Sequence, residues 1–335
     1  MSMQLSNDFK FRPIPDVENR DVLASAAVDV PSPLALLPGT WGGTGFNLIW
    51  RPRFNQTDGG PDHFLELNLT SETLQFNNIP GEIPNRGLLQ PDIVMTGVQY
   101  LQQVSDATTP DTNRTALHFE PGMWLAVPAT SEPAEQPTVC RLGSIPHGTT
   151  VLAQGVSFVV PGPPEFDPAN TVPFVIGDPG QPVPFAESDL SVPSDFRFPA
   201  QALPAGITQE MVNDPNSLLR AAIAGQKIRE TVVLQVSSDT ARPLPPQTSP
   251  VPAPLPTDGL ETPVGGGTSN TAFLEGPPPV PQKPNANASL VTTTFWIETV
   301  EGENGEPDFL QLQYTQTVLL DFAGLSWPHV SVATL

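Results

Sequence analysis

Leu36–Trp50, reading LLPGTWGGTGFNLIW, and Leu310–Leu335, reading LQLQYTQTVLLDFAGLSWPHVSVATL, lie at opposite ends of a 335-residue chain. The first holds a Gly-x-Trp core, then Gly43 and Gly45, then an alternating apolar run. The second holds two strand-like runs joined at Ala323-Gly324 and carries a single histidine, His329, in the last of them. Glycines inside a strand let it bend sharply, which a closing sheet requires. The two stretches therefore read as the opening and closing strands of one antiparallel β-barrel, with the chain ends side by side.

Between them, apolar and polar residues alternate repeatedly. Phe64–Leu69, Thr73–Phe76, Val94–Val104, Thr115–Val127, Val139–Ser144 and Thr150–Val159 read as strands, separated by Gly59-Gly60-Pro61, Pro80-Gly81, Pro110-Asp111, Pro121-Gly122 and Pro146-His147-Gly148. Pro33–Leu37 reads as a helical turn that seals one barrel end. Ile228–Val236 and Val291–Val300 resume the strand pattern. The 43 prolines and 26 glycines fit many short strands joined by turns and argue against long helices. Residues 1–30 are polar with scattered apolar positions and read as an N-terminal arm, leaving 31–335 as a single domain with two long inserts. Residues 161–227 are Pro/Gly-rich and read as an irregular surface excursion containing one or two short helices. The main helix starts at Asp214-Pro215, where an acidic cap precedes a first-turn proline, and its apolar face is Leu218, Leu219, Ala222 and Ile223; a turn at Thr208–Val212 leads into it. Residues 241–288, with PLPPQTSPVPAPLP and three consecutive glycines at 265–267, lack apolar periodicity and read as a Pro-rich loop that the fold can spare.

A formal net charge of −21, with 14 unclustered basic residues, excludes a nucleic-acid-binding surface and disfavours anionic membranes. One cysteine, Cys140, excludes an intramolecular disulfide framework. The N-terminal segment has no signal-like apolar core and no stretch is long enough to span a bilayer, so the expectation is a soluble, cytoplasmic protein; a homo-oligomer is compatible with this composition.

The ordered set Gly39-Thr40-Trp41, Gly43, Gly45; then His118, Glu120 and Gly122 in LHFEPGMW; then Tyr314, Val318–Phe322, Ala323-Gly324 and His329 resembles the nitrobindin-like heme-binding barrels, a group of calycin (lipocalin-like) proteins. The chain is about twice the length of such proteins, so it reads as an enlarged member with a long insertion. The resemblance implies an all-β calycin-like barrel in which the Trp41 indole plugs the closed end. It further implies that His329, in the last strand, is the metal ligand that holds the iron of heme b.

Four histidines can then be weighed one by one. Strand alternation puts Leu325, Trp327, His329, Ser331 and Ala333 on one face, so Trp327 is expected beside His329 in the heme pocket. The alternative for His329 is a half-buried imidazole satisfied by the backbone. His147, on a Pro/Gly turn, is a candidate distal residue leaning over the ligand, a second axial ligand, or an ordinary turn residue. His118 and Glu120 share a face and form either an acid–base couple or a structural pair. His63 follows a Gly-Gly-Pro turn and is expected at the surface. Among the basic residues, Arg51, Arg53, Arg86 and Arg141 are each candidate partners of the heme propionates, or simply solvate the barrel rim. Cys140 reads as a small core residue.

The resemblance thus implies a heme protein acting on a small-molecule ligand or oxidant: NO, O₂, peroxynitrite or peroxide, with peroxidase-like or peroxynitrite isomerase activity. The competing readings are a cofactor-free lipocalin-like carrier or enzyme for an apolar small molecule, and an interaction protein using its Pro-rich loop.

Overall fold

The structure, a computed structural model of the chain, describes residues 32–54, 59–88, 91–108, 115–131, 134–239, 266–276 and 285–335. The N-terminal arm, and the part of the Pro-rich loop at 240–265 and 277–284, lie outside the described residues.

Ten strands form the barrel. In chain order they are β1 (Gly39–Pro52), β2 (His63–Asn78), β3 (Ile93–Asp106), β4 (Ala116–Val127), β5 (Thr138–Ile145), β6 (Thr149–Pro161), β7 (Ile228–Ser237), β8 (Asn287–Val300), β9 (Phe309–Phe322) and β10 (Leu325–Thr334). Each pairs antiparallel with the next, and β10 pairs with β1 to close the ring, with Thr44 opposite Thr334 and Ile49 opposite His329. The fold is an all-β closed antiparallel barrel, compatible with a calycin-like architecture. Gly43 and Gly45 sit at that closure for a steric reason. A Cβ at these positions would lie 2.0 Å from the Thr334 carbonyl oxygen and 2.2 Å from that of Val332, so only glycine lets the last strand come so near.

Several sequence boundaries shift. Phe64–Leu69 and Thr73–Phe76 are one continuous strand, β2, and Pro121-Gly122 lies within β4 rather than between strands. No described helix is long and apolar enough to cross a membrane.

One end of the barrel is closed as the sequence suggests. Residues 33–36 make turns, and Leu34 and Leu37 are buried against Trp41, whose indole donates to the Leu37 carbonyl at 2.8 Å. Leu74, Phe76, Trp124 and Phe295 fill the interior behind them. Each such buried side chain stabilises the fold by roughly 1.5–3 kcal/mol.

The excursion at 161–227 is not an irregular surface loop; it is a packed cover. Phe46, Leu48, Trp50, Leu65, Leu67, Trp296, Val330 and Val332 point outward from the barrel wall yet are buried, because Phe166, Leu190, Ile207, Met211, Val212 and Leu219 lie over them. Two short helices carry part of this layer. In α1 (Gln209–Asn213) the Thr208 hydroxyl accepts from the Met211 N–H; in α2 (Asn216–Ala222) the Asp214 carboxylate accepts from the Asn216 N–H. The rest is organised by Arg197. Its buried guanidinium donates to five backbone carbonyls, those of Glu187, Asp189, Val192, Pro199 and Gln201, at 2.8 to 3.1 Å, which uses its full set of donors. Phe174–Val175 pairs with β10 and Arg197–Phe198 with β2, which fastens the cover to the wall.

Part of the 241–288 segment is also built into the fold. Gly267–Asn270 pairs with β6, and a one-turn helix, α3 (Ala272–Glu275), follows. Backbone bonds from Thr271 to Gly148 and from Ala286 to Leu274 tie this strap across the β5–β6 hairpin. The sequence missed it because four strand residues leave almost no periodic signal.

Candidate functional site

The open half of the barrel encloses a cavity of about 350 Å³, within the range of small-molecule sites. Its walls come from residues far apart in sequence: Asn47, Ile49 and Arg51 of β1, Gln102 and Val104 of β3, His118 of β4, Tyr314, Gln316 and Val318 of β9, and His329 and Ser331 of β10. His147, on the β5–β6 turn, and Leu274, from the strap, complete the rim.

Three of the four histidines therefore meet in one space. The rings of His118 and His147 lie 5.5 Å apart between centroids. Among the described residues no group of three or more His, Cys, Asp or Glu side chains is arranged to hold a metal ion by itself. The His329 backbone pairs with Ile49 and Val318, while its ring makes no hydrogen bond to the side chains of the described residues around it. Burial, and then the like charges of His118 and His147, push its pKa down to about 3, so the ring is neutral at ordinary pH with a free lone pair. Beside it, the buried Asn47 Oδ1 also lacks a partner among the described residues. His147 is lowered as well, first by burial and then by His118, against a hydrogen bond to the Leu117 backbone.

His118 is held from behind. Its Nε2 lies 3.1 Å from Glu120 Oε2, while Glu120 Oε1 accepts from Arg141 at 2.6 Å and from the Tyr100 hydroxyl. Burial alone would raise the Glu120 carboxyl, but Arg141, His118 and Tyr100 outweigh it and hold the pKa at about 2. Arg141 also donates to Tyr100 at 3.0 Å, to the Thr293 hydroxyl at 2.6 Å and to Gln316. Gly143 makes room for this cluster, since a Cβ there would sit 2.5 Å from Glu120 Oε1. A second buried carboxyl, Glu72, accepts from Tyr314 at 2.5 Å and from Thr70 at 2.7 Å. Burial raises its pKa.

The structure separates the candidate residues. His329, His147 and Arg51 line the cavity. Arg51 is a half-exposed rim residue, ion-paired with Glu66 and stacked 4.6 Å from the Phe64 ring centroid. Arg141 does not line the cavity; it is spent on Glu120 beneath it. Trp327 does not line it either. At the start of β10 its ring stacks on Phe322 (4.7 Å) and Phe185 (5.0 Å), and its N–H donates to the Phe322 carbonyl, among residues of the cover. His63 is buried, not exposed. Its Nε2 lies 3.3 Å from Glu187 Oε2, and Phe185 and Trp327 pack on the ring. Arg53 stacks on Phe196 and Arg86 pairs with Asp92, both away from the cavity. Cys140 is half-buried, and burial pushes its thiol up to about 11, which fits an inert position. The sequence reading passed over Asn47, Gln102 and Gln316; their positions on the inward face of alternating strands are the signal that could have found them.

Compared with models of known protein families, with curated proteins and with solved structures, the chain matches none.

Proposed function

We propose that this barrel binds heme b through His329, in the manner of nitrobindin-like proteins, and acts on a small ligand or oxidant held in the same cavity. The observation that carries the reading is the His329 imidazole: neutral, half-buried, without a side-chain hydrogen-bond partner among the described residues, and facing a cavity. A neutral imidazole with a free lone pair turned into a cavity is suited to ligate a metal there.

The other lining residues fit the group. Ile49, Val104, Leu117, Ile145, Val318 and Leu320 supply apolar wall for a macrocycle, and Arg51 at the rim is the one cation among the lining residues for a propionate. Bound there, heme would supply an iron centre for diatomic or peroxide chemistry. The chain's own residues would hold it, exclude bulk water and present His118 and His147 to whatever shares the cavity.

The test is spectroscopic. Protein purified from cells supplied with heme should show a Soret band that co-elutes with the folded barrel and reaches one heme per chain. A colourless protein that takes up no hemin, yet retains an apolar molecule in the cavity, overturns the proposal in favour of a cofactor-free carrier.

A further inference from the structure

We propose that His118, oriented by Glu120, is the acid–base residue of the cavity and that the site therefore acts on a small protic ligand, a hydroperoxide or comparable weak acid, rather than on a proton-free diatomic. This rests on the heme reading for its reaction partner, but the dyad stands on geometry of its own.

Glu120 is almost wholly buried and accepts from Tyr100, Arg141 and His118 at once. A carboxylate held ionised by Arg141 is an acceptor only, so the hydrogen between it and His118 belongs to Nε2. That fixes the neutral tautomer and leaves Nδ1 as the remaining acceptor of a ring that lines the cavity. The same logic lets a carboxylate set the tautomer of a catalytic histidine elsewhere. Other groups facing His118 are His147, at 5.5 Å, and the more distant His329 and Glu72; Arg141 stands behind Glu120 and compensates its charge.

In the step so defined, the Nδ1 lone pair takes the proton of ROOH. An N–H bond forms, the O–H bond breaks, and a hydroperoxide anion and an imidazolium result, with no change of oxidation state. The same nitrogen can later return the proton. Tyr100 and Arg141 act through Glu120 and are positioning residues.

The experiment compares hemin-loaded wild type, His118→Gln and Glu120→Gln, mixed with hydrogen peroxide and, separately, with NO. General acid–base catalysis contributes about 10²–10⁴-fold, so His118→Gln should slow the peroxide reaction by about 10²-fold or more. NO association, which involves no proton, should change far less than the peroxide rate. Glu120→Gln should shift the pH profile of the peroxide reaction towards that of His118→Gln. Because Glu120→Gln leaves Arg141 buried without its carboxylate and can unfold, the tautomer is also read in wild-type, hemin-free protein by ¹⁵N NMR, where Nε2–H is expected. An Nδ1–H tautomer, a peroxide rate indifferent to His118→Gln, or an equal loss for peroxide and NO would overturn the proposal. Failure of wild type to take up hemin would instead overturn the reading beneath it.

Discussion

His329 and Glu298 show how single titratable groups withdrawn from water divide between use and cost. His329 faces a cavity that a ligand can fill. Glu298 faces the barrel's outer wall: its Oε2 accepts from Gln311 at 2.8 Å, and its Oε1 has no partner among the described residues. Burial pushes its pKa up to about 8, from 4.5. A carboxyl raised in the folded state binds its proton more tightly there than in the unfolded chain. Its contribution to stability is therefore complete below pH 4.5 and is lost as pH rises towards 8. Glu298→Gln should be close to wild type in stability at pH 4 and more stable at pH 8, as read by chemical denaturation at the two values; equal effects at both would contradict the assignment. The residue scale is also where the sequence was least legible. His329 could be placed on the inward face of the last strand from alternation alone. Trp327, two residues earlier, obeys the same alternation but lies where β10 passes under the cover, and Phe185 and Phe322 claim its ring. His63 looked exposed because its partner, Glu187, is 124 residues away. Arg141 looked like a rim cation because nothing local reveals Glu120 on the neighbouring strand.

At the scale of elements, the strands and the two short helices of the cover were legible, and the rest of the inserts was not. Period-two alternation and the Gly-x-Trp-x-Gly-x-Gly run follow directly from sheet geometry, so β1, β3, β6, β9 and β10 stand close to where the sequence put them. Outside its two helices the cover has no period. There one side chain, Arg197, meets five carbonyls that belong to loops and turns. Arg197→Met keeps much of the volume and removes every one of those donors. Hydrogen bonds to charged groups contribute about 1.5–3 kcal/mol each, and buried acceptors left unpaired add a cost, so a loss of about 3 kcal/mol or more is expected in urea unfolding. Exposure of the Trp50 and Trp296 surface should appear with it as a red-shifted tryptophan emission. A change below about 1 kcal/mol, the size of one ordinary hydrogen bond, would mean that the loop is ordered by something else.

The whole molecule is a barrel used from both sides. Inside, the Trp41 end is apolar and filled, while the other end holds the cavity and its three histidines. Outside, the cover buries β1, β2, β8 and β10, including Val330, an outward neighbour of His329. The strand that carries His329 is thus held by β1 and β9 at its edges and by the cover behind it, which holds its backbone in place. A fixed backbone would suit the metal ligand proposed for His329. The measurement that tests this most directly is hemin titration of wild type and His329→Ala, with and without free imidazole. Wild type should bind one hemin per chain with a histidine-ligated Soret band that added imidazole leaves unchanged. His329→Ala should bind more weakly, with a shifted band that imidazole restores as it enters the vacated space. The same affinity and the same spectrum in both proteins would contradict the account.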